Sequence, residues 1–385
     1  MSEPPPIPLF RAVVPPQGRA RAAAALESGW IGYGPECRAL EASFTAGRGG
    51  WALATTSCTA SLYLAGRLLA RDAGPERAEV IVPAITFVAS GMAFQQAGMT
   101  PVVADVRPDD LTLDAAATER AITSRTRAIV VVHLYGQRAH DIAALRALAD
   151  RRGLALIEDC AHRIDLLDAA PPVGDIACYS FNAVKELACG EGGLLWARDA
   201  ALEGRARSVS NLGLAIDTMQ RAASLRHGDY SFEPEPGLKL RLSDLAAAVV
   251  NGSIPSLAST RARRRALVER YARLLAPLAP AVQALVRRDD DSFLMHVVRV
   301  PAELRDGIRS GMAKAGIATS VHYPSLARHP MFGDPRTPGA HCADADLEIV
   351  TLPTWIGMSV AEQDRVASAL ARAVDEAGSR AASAR

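Results

Sequence analysis

Lysine is nearly absent. Of 43 basic residues in a chain of 385, only Lys185, Lys239 and Lys314 are lysines. Arginine cannot give up its proton and form an imine, whereas lysine can, so chemistry that needs a neutral amine has few places to go. Charge of one sign is not in excess either: 43 basic against 42 acidic residues leave a net charge of +1. That balance excludes a broad electrostatic attraction to nucleic acid or an anionic membrane. No apolar run reaches the roughly 18 residues of a membrane span. The start, Met-Ser-Glu-Pro-Pro-Pro, has neither a basic nor an apolar leader region, so a cytoplasmic chain is expected. The six cysteines form no C-x-x-C pair and the eight histidines no H-E-x-x-H, which argues against a disulfide framework or a zinc site.

What is present is an ordered alternation. Short apolar runs at Val80–Pro83, Pro101–Val106, Ala128–His133, Leu154–Ile157, Ile176–Phe181 and Gly193–Ala197 read as buried strands. Helical stretches at Val88–Ala97 and Ala139–Arg152 separate them. This predicts an α/β unit with a mainly parallel sheet, whose chemistry gathers at the carboxyl ends of strands. From Leu242 to Leu275 the pattern is one long helix, capped by Ser243 or Asp244 and interrupted at Pro255. A strand at Leu294–Val300 and helices at Leu304–Ala315 and Val360–Ala377 predict a smaller α+β unit. The expected division is an N-terminal arm and large domain over 1–245, and a small domain over 246–385. The first dozen residues read as an extended arm and the last eight as frayed.

Four local features fall at predicted strand ends. Thr55-Thr56-Ser57-Cys58-Thr59-Ala60-Ser61 precedes the helical run Leu62–Leu69, so its hydroxyls and free N–H groups suit either a phosphate or an ordinary cap. Glu158-Asp159 ends an apolar strand, where an acid can face a ligand or cap a helix. Lys185 follows Tyr179-Ser180-Phe181-Asn182-Ala183-Val184, and apolar neighbours would desolvate it and lower its basicity, or let it snorkel. Gly190-Glu191-Gly192-Gly193 lacks nucleotide-loop spacing and reads as a tight turn. Phe87 sits just past a strand end and could stack on a flat ring or pack in the core. Together a lysine, a carboxylate, an anion cup and an aromatic are what pyridoxal phosphate (PLP) requires.

The sequence resembles the DegT/DnrJ/EryC1/StrS sugar aminotransferases, within PLP-dependent transferase fold type I, nearly end to end. The motifs run from Leu26-Glu27-Ser28-Gly29-Trp30-Ile31 through Val132-His133-Leu134-Tyr135-Gly136-Gln137, Glu158-Asp159-Cys160-Ala161-His162 and Ser180 to Lys185, then to His322-Tyr323-Pro324. Ala-Val-Lys and Ala-His are most similar to the UDP-4-amino-4-deoxy-arabinose synthase branch. The resemblance implies a seven-stranded sheet and a PLP imine on Lys185, which also moves the substrate proton. It implies Asp159 at the pyridine nitrogen, Phe87 on one ring face and His162 beside the ring. Ser180, Thr59 and the Cys58 backbone would hold the phosphate. Lys239 would reach the phosphate of a partner subunit, making the site a homodimer property. Tyr33, His322 and Tyr323 would face substrate.

The implied reaction moves an amino group from glutamate or glutamine to a keto-sugar, expected to be nucleotide-linked, by a ping-pong route. A free keto-cyclitol of the scyllo-inosose type is the alternative acceptor. The family's dehydratases replace the lysine, which Lys185 argues against. A non-catalytic regulator of the same fold would rest on Arg261–Arg265, a run that reads more simply as a solvated helix face. No nucleic acid, membrane or metal partner is expected.

Overall fold

The computed structural model describes residues 4–70, 78–168, 170–215, 230–332 and 344–383. Its main sheet has seven strands: β1 (Trp51–Thr55), β2 (Glu79–Pro83), β3 (Thr100–Ala104), β4 (Thr126–Val132), β5 (Ala155–Cys160), β6 (Ile176–Ser180) and β7 (Gly193–Ala197). They lie in the order β1-β7-β6-β5-β4-β2-β3, and β7 alone runs against the others. Each of the six runs read as strands is one. β1, β2, β5, β6 and β7 are buried almost throughout, because helices cover both faces. The parallel strands end together at Thr55, Pro83, Val132, Cys160 and Ser180, so loops carrying chemistry converge on one edge.

A three-stranded antiparallel sheet follows: β8 (Gln283–Ala284), β9 (His296–Arg299) and β10 (Ile349–Leu352), in the order β10-β9-β8. Helices Leu257–Leu275, Ala302–Lys314 and Val360–Ser383 enclose a second core around Tyr271, Met312, Trp355 and Leu370. Ile7 belongs to that core, with its N–H bonded to Gly316 O at 2.8 Å. The arm is therefore extended, as expected, and docked.

Two expectations about the long helix hold, and others are corrected. Pro255 divides the long helix into Asp244–Ser253 and Leu257–Leu275, joined by a tight turn. Ser243 is the cap, its Oγ accepting from Ala246 N at 3.3 Å. Asp244 instead accepts from Gly34, Glu36 and Cys37 N–H groups, satisfying the start of helix Pro35–Thr45. The boundary expected at 245/246 thus falls inside a helix that packs on Pro16–Glu27 and Pro35–Thr45. The terminal helix continues to Ser383, so most of the last eight residues are not frayed. Arg261–Arg265 is a solvated face only in part: Ala262 and Arg263 are exposed, but Arg264 is 6 % exposed and Arg261 pairs with the buried Glu186.

Helix Asp244–Ser253 comes so close to helix Pro16–Glu27 that a Cβ on Gly252 would lie 2.5 Å from Gln17 O. Gly252→Ala is expected to destabilise the protein by about 1–3 kcal/mol, the usual range for an overpacked contact. A thermal midpoint several degrees lower checks it.

Candidate active site

A cavity of about 340 Å³ opens at the carboxyl edge of the sheet, lined by residues that include Cys58, Thr59, Phe87, Asp159, His162, Ser180, Lys185 and Tyr323. Seven of these come from the large-sheet region and Tyr323 from the later part of the chain.

Its floor is Asp159, at the end of β5 and 4 % exposed. Oδ2 accepts from Ser90 Oγ at 2.7 Å, and Oδ1 from Ala161 N at 3.0 Å, with the Cys58 thiol 3.8 Å away. Since an ionised carboxylate only accepts, Ser90 donates to it, and Thr86 Oγ1, 2.8 Å from Ser90 Oγ, donates to Ser90 in turn. This fixed acceptor suits a protonated ring nitrogen.

The hydroxyl-rich turn resolves into separate roles. Thr55 Oγ1 donates to Ser57 O at 3.0 Å and pairs with Ser61, so both hydroxyls are spent internally. Ser57 Oγ caps helix Cys58–Ala70 through Ala60 N at 3.1 Å. The N–H groups of Cys58 and Thr59 precede the first intrahelical bond, as anion cups require. A Cβ on Gly193 would stand 2.3 Å from the Ser57 carbonyl carbon. Only glycine lets β7 pass behind that turn, which explains one glycine of Gly190-Glu191-Gly192-Gly193. Gly190, at φ +100°, lets the loop close, with Ala183 N bonded to its carbonyl at 2.9 Å.

That closed loop presents Lys185. Burial lowers its pKa to about 8, against the opposing pull of Asp159. His162 lies opposite, its Nδ1 accepting from Tyr135 N at 3.1 Å. Its proton therefore sits on Nε2, which donates to Tyr323 Oη at 3.0 Å. Burial, with the Lys185 and His322 charges adding, holds the imidazole well below its ordinary pKa and keeps it neutral. Burial also raises the Tyr323 hydroxyl, so it stays protonated. Phe87, half exposed at the mouth, lies 5.4 Å from the Tyr323 ring.

Three expected residues lie elsewhere in this chain. His322 is beside the cavity without lining it, with Nδ1 2.9 Å from Thr351 Oγ1 and its pKa pushed down to about 4 by burial. Tyr33 is buried in a different cavity, bonded to Glu41 at 2.6 Å and to Arg207 at 3.0 Å. Lys239 is exposed on a segment that bridges Asn211. Sequence reasoning did not single out Thr86, Ser90, Asn182 or Glu191, all of which line the cavity. The i, i+4 spacing of Thr86 and Ser90 after a strand was the available signal for the first two.

Among the described residues, His133, Glu158 and Cys160 approach closely enough to suggest a metal. Both His133 nitrogens are already engaged, by Glu158 at 2.7 Å and Ala139 N at 3.1 Å, which makes the group a structural tie.

The DegT/DnrJ/EryC1/StrS aminotransferase family matches residues 16–371. The chain belongs to that family. Solved structures agree. DesV from S. venezuelae, described in complex with a ketimine intermediate, is 32% identical, with a TM-score of 0.82 over 97% of this chain and 99% of its own. The sugar aminotransferase CalS13 from Micromonospora echinospora is 29% identical, with a TM-score of 0.80 over 94% of this chain and 99% of its own. Spr1654 from Streptococcus pneumoniae, in its PLP-form, is 25% identical, with a TM-score of 0.83 over 97% and 99%. The fold is that of PLP-dependent transferase fold type I, and the chain is a PLP-dependent sugar aminotransferase. The non-catalytic regulatory reading gives way to an enzyme. The cavity fits the cofactor: cup, acceptor and amine all line one space.

Only the neutral amine attacks an aldehyde, so imine formation by the cofactor-free protein with pyridoxal should rise with pH about a midpoint near 8. Asp159→Asn removes the charge that opposes burial and should move the midpoint lower. Absorbance against pH measures both, and a midpoint above 10 contradicts the assignment.

Proposed function

We propose that this enzyme takes the amino group of glutamate, or of glutamine, and gives it to the keto group of a nucleotide-linked sugar in two half-reactions at one site. The observation that carries the reading is Lys185, held near neutrality by burial, in one cavity with the Asp159 acceptor and the open N–H groups of Cys58 and Thr59. PLP bound there supplies the carbon that carries the amino group and the ring that takes up electrons.

The chain's residues divide the remaining work. Cys58 and Thr59 N–H groups and the Ser180 hydroxyl hold the phosphate. Asp159, oriented by Ser90 and Ala161, accepts from the ring nitrogen. Lys185 would hold the cofactor through Nζ and would take up or return a proton at that atom. A pKa near 8 lets it do both close to neutral pH. Phe87 covers one ring face, and neutral His162 keeps Tyr323 oriented. Tyr323 and His322 stand on the substrate side.

The enzyme is read as a cytoplasmic homodimer in which Lys239 reaches the partner's phosphate. Exposed Leu212, Tyr230, Phe232 and Leu238 around Lys239 support a covering partner there.

The test is the visible spectrum of the PLP-loaded protein. Glutamate is expected to bleach the band, and Lys185→Ala to lower turnover by about 10⁴-fold, the upper range for a lost acid–base group. Keto-sugar on a nucleotide should restore the band. Restoration by a free keto-cyclitol alone moves the acceptor to that class, and a band that ignores both glutamate and glutamine overturns the donor.

A further inference from the structure

Behind the loop that carries Lys185 lies a second cavity, of about 250 Å³. The arm from Arg11 to Pro16 forms one side, Ala183–Glu186 another, and Thr260 and Arg264 on helix Leu257–Leu275 a third. Lys185 contributes to the walls of both cavities.

Arg264 is the anomaly. It is 6 % exposed, yet among the described residues its guanidinium makes a single hydrogen bond, from Nη1 to Leu294 O at 3.1 Å. Nε is buried with no partner, and a guanidinium has five N–H groups to satisfy. No carboxylate lies within 4.0 Å of it among the described residues. The nearest acid in the same wall, Glu186, is already used: its carboxylate accepts from Ile164 N at 2.7 Å and from Arg261 Nε at 3.4 Å. Burial also raises the Glu186 pKa, which weakens it as a counter-charge. Among the described residues Glu186 is the one carboxylate that acts on Arg264, and it is shared with Arg261 and Arg163, so the buried cations outnumber it and leave room for a further anion.

The rest of the wall agrees. Arg11 adds a second guanidinium, 5.5 Å from the Trp355 ring. The Ser253 and Ser256 hydroxyls donate to helix carbonyls at 2.7 and 2.8 Å, so they leave the donor role to the two arginines and Thr260. The first cavity, by contrast, has no arginine in its wall among the described residues. Its imidazole is neutral, and among the described residues its one cation is Lys185. Yet both substrates of the proposed reaction bear anionic oxygens, as carboxylate on the donor and phosphate on the acceptor.

We propose that this second cavity is an anion subsite, in which Arg264 and Arg11 bind a carboxylate or phosphate group of one substrate beside the Lys185 loop. The existence of the subsite stands on Arg264, while its assignment to a substrate rests on the function proposed above.

The test uses holoenzyme reduced with borohydride, which tethers the cofactor to Lys185 and keeps its phosphate cup filled. Calorimetric titration with glutarate and with inorganic phosphate should show saturable binding of at least one. Arg264→Met should abolish it, and Arg11→Gln should weaken it about tenfold, as expected for one charged hydrogen-bond donor. Arg11 is exposed, so its variant remains informative if the buried substitution fails to fold. Glutarate binding that competes with glutamate places the donor there, and phosphate binding places the acceptor's phosphates. Binding of neither anion, or binding indifferent to Arg11→Gln, overturns the subsite. Because these titrations need no turnover, loss of glutamate bleaching alone would count against the donor and leave the subsite standing.

Discussion

Everything at the carboxyl edge of the main sheet is organised around one buried carboxylate. Asp159 is 4 % exposed near the end of a strand, and its two oxygens are met by donors from the protein. Those donors come from helix Ala89–Gln96, from the turn after β5, and from the first residue of helix Cys58–Ala70. Satisfying one side chain therefore sets two helix starts against the sheet. The second of those starts is the anion cup. The distance between ring-nitrogen acceptor and phosphate donors follows from this packing, so a flat phosphorylated ring meets a site already built.

The later part of the chain closes that site. Tyr323 reaches the cavity from beyond the second core and is tied to His162, while the Tyr135 hydroxyl donates to the His322 carbonyl. Two hydrogen bonds thus couple the position of the small sheet's neighbourhood to the cofactor-side histidine. Because His162 accepts at Nδ1, the whole chain of donors has one direction, and Tyr323 keeps its own proton to offer.

Much of this was legible in the sequence because each signal was local. Continuous Val/Ile/Leu runs declared the parallel strands. The scarcity of lysine pointed to Lys185, and Asp159 stood at the end of an apolar run. β1 was missed because Trp51-Ala-Leu-Ala-Thr is short and mostly small residues that do not favour a strand on their own; pairing with β7 decides it. Helix Pro16–Glu27 lacks an apolar stripe, and helix Pro35–Thr45 has only the short one of Cys37, Leu40 and Phe44. Asp244 looked like the cap of its own helix but satisfies one more than 200 residues earlier. Ser90 acts on a residue 69 positions away. Arg264 sat in a run of arginines whose periodicity suggested solvent, and only the packing of Leu294 against it shows otherwise. Long-range satisfaction of polar groups is what a single sequence hides.

The docked arm carries one more consequence. Ile7 fills the second core and pairs with the backbone at Gly316 and Ala318, and Pro5 O accepts from Arg365. The segment around Ile7 must therefore wait for residues more than 300 positions later before it has anywhere to bind. At the usual pace of synthesis that delay is roughly 15–60 s. During that interval the large sheet can assemble while the arm, with Arg11 on it, remains untethered. The segment around Ile7 is thus made long before the residues that fasten it down.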